Sequence, residues 1–425
     1  MIERYMTKEM ARIFSDDYKF TKWLNVEQVV AEVETESGII PAGLSRKISK
    51  IKVDPRRIDE IERSVNHDVI AFLHAAREKL GSHGTWLHFG LTSYDLVDTA
   101  FVLIIKEALA IVSTEIKGLL KIIDRLSREY WKTPQMGRTH GVFAQPITFG
   151  YKARSWYEEV MRAHIKLELA EKEISYGKLS GAVGAYTMLA PALERKVMRK
   201  LKLKPEPVST QVLPRDRFAF LIAVMTLYVC AIERIATEIR NLTRTEIGEL
   251  AEPFTARQKG SSAMPHKKNP ITCERISGLA RIFRGYLIPA YENINLWHER
   301  DITNSSVERV IIPDAFHLIH YLTIKMKWVL DNLIVNTQRM KDNILASYGV
   351  YASQYLMNRL IERGLDRDIV YRHVQKLSFK AIQDKINLED LVNRDRKILR
   401  YLKPAEIKAI FSIDYFLRNI YRKRP

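Results

Sequence analysis

The stretch IKGLLKIIDRLSREYW, residues 116–131, decides the fold class. Ile116, Leu119, Leu120, Ile123 and Leu126 follow the i, i+3, i+4, i+7 spacing that gathers apolar side chains on one face of an α-helix. Similar periodicity covers residues 148–176, 214–250, 271–297 and 305–344, and no alternating strand pattern with hairpin signals stands anywhere. Helices of this length exceed the usual mean of about 11 residues. They predict an all-α protein: an elongated central bundle with smaller helical domains at each end. The expected boundaries are 1–93, 94–343, which carries the long helices, and 344–425, where shorter charged helices take over.

Composition narrows the function. The chain has 425 residues, 46% of them hydrophobic, enough for two or three domains and a large buried core. Its 68 basic against 50 acidic residues leave a formal charge of +18, which suits polyanionic partners from nucleic acid to phosphorylated and carboxylated metabolites. The basic residues are scattered through helical stretches, with no zinc-finger spacing or RNP-like segment, so nucleic acid is not the expected partner. Cys230 and Cys273 are far apart and form no CxxC pattern, which fits a reduced cytoplasmic protein. The opening MIERYMTKEMARIF is charged throughout, unlike a signal peptide, and the apolar run 218–232 falls short of the roughly 20 residues that span a bilayer. That run reads as a helix buried on every side, more than one chain can easily cover, and so predicts an oligomer.

Glycine and proline punctuate four breaks: GSHGTWLHFGLTS (81–93), PQMGRTHGVFAQP (134–146), GKLSGAVGAY (177–186) and EPFTARQKGSSAMPHKKNP (252–270). Thr92 and Ser93 stand just before a helix, with Asp95 placed like the acid of a capping box; the same hydroxyls and free amides can hold a phosphate or carboxylate. Ser305 and Glu308 have the same spacing, and Arg300 and Arg309 beside them suit an anion clamp. His67 and His88 are read as capping or packing residues when taken alone, whereas His140, between Thr139 and Gly141, suits a general acid or base. No HExxH, metal-ligand cluster or GxSxG elbow is present, so neither a metal nor an acyl-enzyme is expected. In the last break a glycine and two serines precede a stiffer end with Pro265 and Pro270, as a closing lid would require. Ser261 or Ser262 there offers a hydroxyl, and Lys267 with Asn269 can hold an oxyanion.

GSSAMPHKKNP (260–270) closely resembles the signature of the fumarase/aspartase superfamily, and HFGLTSYD and GRTHGVFAQP resemble its two other short regions. Histidine at 266, together with ERYMTKEMARIFSDDYKFTKWLNVE, NHDV, STQVLPRDR and WHERDITNSSVER, is similar to the adenylosuccinate lyases within it. The resemblance covers almost the whole chain and is least distinctive over the final eighty or so residues. It implies release of fumarate from adenylosuccinate and from SAICAR, giving AMP and AICAR, with no cofactor and no metal.

By that similarity Ser261 is the base, His140 the general acid, Glu274 the partner that orients His140, and Lys267 and Asn269 the donors to the carboxylate. His67 and His88 match further histidines near the substrate, His67 counted with the catalytic groups. Arg4, Tyr5, Arg300, Ser305 and Arg309 match phosphate-holding positions, and Thr92, Ser93 and Gln211 match contacts to the succinyl group. Asn66, Asp68, Ser262 and Arg240 complete the implied substrate contacts. The resemblance also implies a homotetramer with active sites shared between subunits, and no nucleic-acid or membrane partner. Argininosuccinate lyase and a basic helical nucleic-acid-binding or scaffold protein are the alternative readings.

Overall fold

The computed structural model of the chain describes residues 1–254 and 263–423; Ser261 and Ser262, and with them most of the expected lid, lie outside that range. Long helices occupy the periodic segments: Ser93–Glu129, Phe149–Ile174, Asp216–Leu242, Ile271–Gly285 and Thr303–Asp331. The fold is all-α, as expected. One expectation needs correction, because residues 134–146 belong to an antiparallel hairpin, Pro134–Thr139 against Val142–Thr148. Thr139 faces Val142 across a two-residue turn in which both His140 (φ 54°) and Gly141 (φ 78°) are left-handed, the backbone that hairpin turns require. Glycines and prolines in that stretch break the alternation by which a strand is read, and His-Gly is a weaker turn signal than Asn-Gly.

The chain divides into two compact units. The first comprises residues 1–117, 162–232 and 276–325. Phe20, Trp23 and Phe72 form an aromatic cluster in its core, with ring centroids 5.2–5.9 Å apart. In the Asp216–Leu242 helix, Phe218, Leu221, Ile222, Met225, Val229 and Ile232 are buried. Its length and composition would allow a membrane span, but 67% of its most apolar window is buried inside the chain, as in a core helix. Phe220 and Leu227, 37% and 52% exposed, are left on an uncovered side.

Charges are also buried in this unit. The Arg215 guanidinium donates to both oxygens of Asp98 (2.6 and 2.9 Å) and both of Glu308 (2.9 and 3.1 Å), tying the Ser93–Glu129 and Thr303–Asp331 helices to the start of Asp216–Leu242. Two carboxylates on one fork satisfy nearly all of its donors, which is the condition for a buried cation to be tolerated. A second pair, Lys178 with Asp95, is fully buried, and Asp95 also accepts from the Thr92 amide at 2.9 Å.

The second unit comprises residues 118–161, 233–275 and 326–425. Its hub is Glu249, wholly buried, which accepts from Gln135 Nε2, Arg138 Nη2 and Asn343 Nδ2, each at 2.7 Å. Gln135 and Arg138 lie on the first hairpin strand, so this carboxylate fixes the base of the turn that presents His140. Residues 350–411 build a separate apolar cluster around Leu356, Val370, Leu388, Ile398 and Ile407.

Glu34, 1% exposed, lies two helical turns from Glu27 on Asp16–Glu36, and burial followed by the Glu27 charge raises its pKa from 4.5 to about 8. The folded chain therefore keeps a proton that the unfolded chain releases above about pH 4.5. The contribution of Glu34 to stability is complete below that pH and is lost as pH rises through about 8. Urea unfolding of Glu34→Gln at pH 5 and pH 8.5 should show an advantage over the unsubstituted chain that grows with pH by roughly 2–4 kcal/mol. An advantage independent of pH would contradict the assignment.

Candidate active site

Most of the predicted phosphate and succinyl contacts lie in the first unit, where hydrogen bonds and ring contacts link them. Asn66 (φ 51°) ends the Pro55–Val65 helix, and His67 then caps Asp68–Leu80, its Nδ1 accepting from the Ile70 amide at 3.4 Å. Asp68 binds Arg309 Nη2 at 2.7 Å. Both face a cavity of about 340 Å³ that Trp23, Tyr94, Phe101 and Ser305 also line. The Tyr94 hydroxyl bonds Ser305, and burial pushes its phenol pKa up. The Arg300 guanidinium lies 3.6 Å from the centroid of the Tyr94 ring, and its Nη1 donates to Gln211 Oε1 at 2.7 Å. Nε and Nη2 of Arg300 are buried without an acceptor among the described residues. A fixed guanidinium with two donors to spare is suited to an anionic ligand.

Ser305 does not form the expected capping box with Glu308. The helix begins two residues earlier, at Thr303, whose amide donates to Asp301 Oδ1 at 2.8 Å, and Glu308 is taken up by Arg215. The box is broken by a distant arginine, which local spacing cannot reveal. At Thr92 and Ser93 the acid of the expected box is in place: Asp95 accepts from the Thr92 amide, and Thr92 is the residue before the Ser93–Glu129 helix. Arg4 and Tyr5 sit on a single turn, Glu3–Tyr5, with Tyr5 packed edge-on against Tyr321 at 5.4 Å.

His88 has a positive φ of 65° and is gripped by one carboxylate: Glu27 Oε1 lies 2.6 Å from its Nδ1, and Glu27 Oε2 accepts its backbone amide at 3.0 Å. Two bonds from a buried acid to one residue hold the ring in a single orientation and leave Nε2 as its working nitrogen. Gln211 is placed by its Nε2, which donates to the Ala182 carbonyl at 3.0 Å. Beside it Gly184 (φ 81°) must be glycine, since a Cβ would stand 2.0 Å from the Ser209 carbonyl oxygen.

The second unit carries the predicted proton-transfer and carboxylate groups. His140 is exposed at the tip of its hairpin, and Glu274 is exposed in the first turn of Ile271–Gly285. No hydrogen bond joins them within the chain, among the described residues. Lys267 and His266 are exposed, and Asn269 and Arg240 are half-buried. The segment leading to them is anchored: buried Glu252 accepts from the Thr272 and Cys273 amides at 3.1 and 2.5 Å. Glu252 thereby caps the helix that follows the signature and draws residues 252 and 272 together.

Sequence reasoning missed Glu27, Asp98, Arg215, Glu249 and Glu252, the groups that hold the others. Each binds a partner 20 or more residues away, 117 in the case of Asp98 and Arg215, so no local spacing marks them. The one available signal was an acid inside an apolar helical stretch, as Glu27 is in WLNVEQVVAEV.

Known proteins match this chain along nearly its whole length. Residues 4–285 match the lyase family model, and residues 349–422 match the model of the adenylosuccinate lyase C-terminus. The adenylosuccinate lyase of Thermotoga maritima is 43% identical over 99% of this chain and 98% of its own length. Those of Aquifex aeolicus and Bacillus subtilis are 44% and 42% identical over 100% and 99% of this chain, and 98% of each relative. Among solved structures, a fumarate lyase from Mesorhizobium sp. BNC1 superposes with a TM-score of 0.89 at 25% identity, covering both chains completely. The 3-carboxy-cis,cis-muconate lactonizing enzyme of Pseudomonas putida shares the fold, with a TM-score of 0.88 at 22% identity over 98% of this chain and 95% of that one. Identity above 40% along essentially the entire length, with both family models in order, makes the chain a member of the adenylosuccinate lyase family.

Proposed function

We propose that the chain eliminates fumarate from adenylosuccinate, giving AMP, and from SAICAR, giving AICAR, in purine nucleotide synthesis. The near-full-length identity to adenylosuccinate lyases carries this reading. In the elimination a base removes a proton from the succinyl carbon beside a carboxylate. The electron pair of that C–H bond becomes the C=C bond of fumarate, the C–N bond breaks, and an acid returns a proton to the departing nitrogen. Ser261 is the proposed base and His140 the proposed acid; the exposed position of His140 on a braced hairpin suits a group that must reach a ligand.

Charge builds on the carboxylate next to the carbanion, and Lys267 with Asn269 is proposed to stabilise it. Arg4, Tyr5, Arg300, Ser305 and Arg309 are assigned to the phosphate, and Thr92, Ser93, Ser262, Gln211 and Arg240 to the succinyl side. Asn66, His67, Asp68 and His88 stand beside them, with His67 in the catalytic set. Arg300, with two donor nitrogens unspent among the described residues, is the phosphate contact with the clearest support. The +18 charge would concentrate such polyanions near the protein.

The proposed assembly is a cytoplasmic homotetramer with shared sites, each chain organised as 1–93, 94–343 and 344–425. Exposed Phe220 and Leu227, with Ile165, Leu169, Ile282 and Val310, supply apolar surface for subunit contact. That no hydrogen bond joins His140 and Glu274 among the described residues suits a pairing of these residues across subunits.

Incubated with adenylosuccinate, the purified protein should release AMP and fumarate in equal amounts, and argininosuccinate, which has no phosphate, should yield none. Fumarate from argininosuccinate alone would overturn the assignment. Shared sites have their own test. His140→Gln and Ser261→Ala should each lower turnover about 100- to 10,000-fold. Dissociated, mixed in equal amounts and reassembled, the two should recover activity at about a quarter of the sites, since each residue is intact half the time at any site built from two chains. Hybrids confirmed by mass spectrometry that remain inactive would place both residues on one chain.

A further inference from the structure

A second cavity lies in the second unit, in the C-terminal segment and built from none of the residues assigned above. Its volume is about 540 Å³, within the range of small-molecule sites. One wall is the Arg367–Asp384 helix, which turns Ile369, Arg372, His373 and Lys376 toward it at i, i+3, i+4, i+7 spacing; the other is the turn Ile398–Arg400 with Lys397 and Tyr401. Arg372, Lys376, Lys397 and Arg400 give the lining four cations and no acid. Arg372 donates only to the Asp368 carbonyl, at 3.2 Å, and no carboxylate is bonded to any of the four among the described residues. Elsewhere in this segment Arg359 pairs with Glu362, and Arg363 with Glu406. Four like charges around one concavity repel one another unless an anion offsets them.

The walls are braced before any ligand arrives. His373 Nε2 lies 2.8 Å from Asp395 Oδ2, and the other oxygen of Asp395 accepts the Lys397 and Ile398 amides at 2.8 and 3.1 Å. The helix is thus tied to the turn that presents Lys397 and Arg400, so binding need not order either wall. The remaining lining is apolar: Leu360, Val370 and Ile398 are buried, whereas Ile369 and Tyr401 are 61% and 43% exposed. An aromatic ring beside aliphatic side chains suits the flat face of a base. A cluster of four cations suits a ligand bearing about four negative charges.

We propose that this cavity is a binding site for a nucleoside triphosphate, separate from the site of elimination, with the phosphates on Arg372, Lys376, Lys397 and Arg400 and the nucleoside against Tyr401 and Ile369. The test is calorimetric titration of the full-length protein with ATP while AMP and fumarate saturate the site of elimination. One ATP should bind per chain with a dissociation constant of roughly 10–100 μM. Lys397→Glu combined with Arg400→Glu should weaken it about 100-fold, leaving the thermal midpoint and adenylosuccinate turnover without ATP unchanged. Inorganic tripolyphosphate should bind about tenfold or more weakly than ATP, because it lacks the base. No binding up to about 1 mM ATP, binding untouched by the double substitution, or tripolyphosphate as tight as ATP would each overturn the proposal. Loss of ATP binding on adding AMP and fumarate would assign the nucleotide to the site of elimination, against it. The effect of the double substitution on ATP binding does not depend on which reaction the chain catalyses.

Discussion

The Arg215 guanidinium, buried between Asp98 and Glu308, is the constraint on which the first unit depends. Three charges enclosed in an apolar core are costly unless every donor is met, and the Arg215 fork meets two carboxylates at once, with its fifth bond made to the Leu213 carbonyl at 2.8 Å. Such a cluster tolerates little displacement, because sliding either helix by one residue would strand a carboxylate. It therefore registers the Ser93–Glu129 helix against Thr303–Asp331. Thr92, Ser93 and Tyr94 lie at the start of one helix and Ser305 and Arg309 in the first two turns of the other, and Tyr94, Ser305 and Arg309 line one cavity, so the same register brings these proposed anion-binding groups together.

Buried carboxylates repeat this device throughout the molecule. Glu27 fixes His88, Glu249 fixes the hairpin below His140, and Glu252 caps the helix after the signature. In each case an acid withdrawn from water is satisfied by backbone amides or paired side chains. The groups proposed for the chemistry are the exposed ones at the element ends. Rigid supports under accessible tips are what an elimination needs, since acid and base must reach one substrate from different directions.

The long helices were legible in the sequence because their apolar spacing is local: Ile116 to Leu126 marks one face without reference to any other segment. The candidate site was legible for a different reason. Its groups sit in the breaks, where glycine, proline and clustered hydroxyls depart from helical composition, and those breaks carry the family resemblance. The hairpin around His140 escaped because its glycines and prolines read as loop, and its stability rests on Glu249, about a hundred residues away. The role of Glu308 was misread for a similar reason: Ser305 and Glu308 have the spacing of a cap, but Arg215 outcompetes a backbone amide for the carboxylate. Local pattern locates elements; the pairing of buried charges, which sets their register, is a property of the folded chain.

That register is tested most directly by Arg215→Lys, which keeps the charge but removes the fork. A lysine cannot hold Asp98 and Glu308 bidentately, so the thermal midpoint should fall and KM for adenylosuccinate should rise about tenfold or more as the proposed anion-binding groups lose their alignment. A variant with an unchanged midpoint and KM within about twofold of the unsubstituted chain would contradict the claim that this buried clamp sets the geometry of the site.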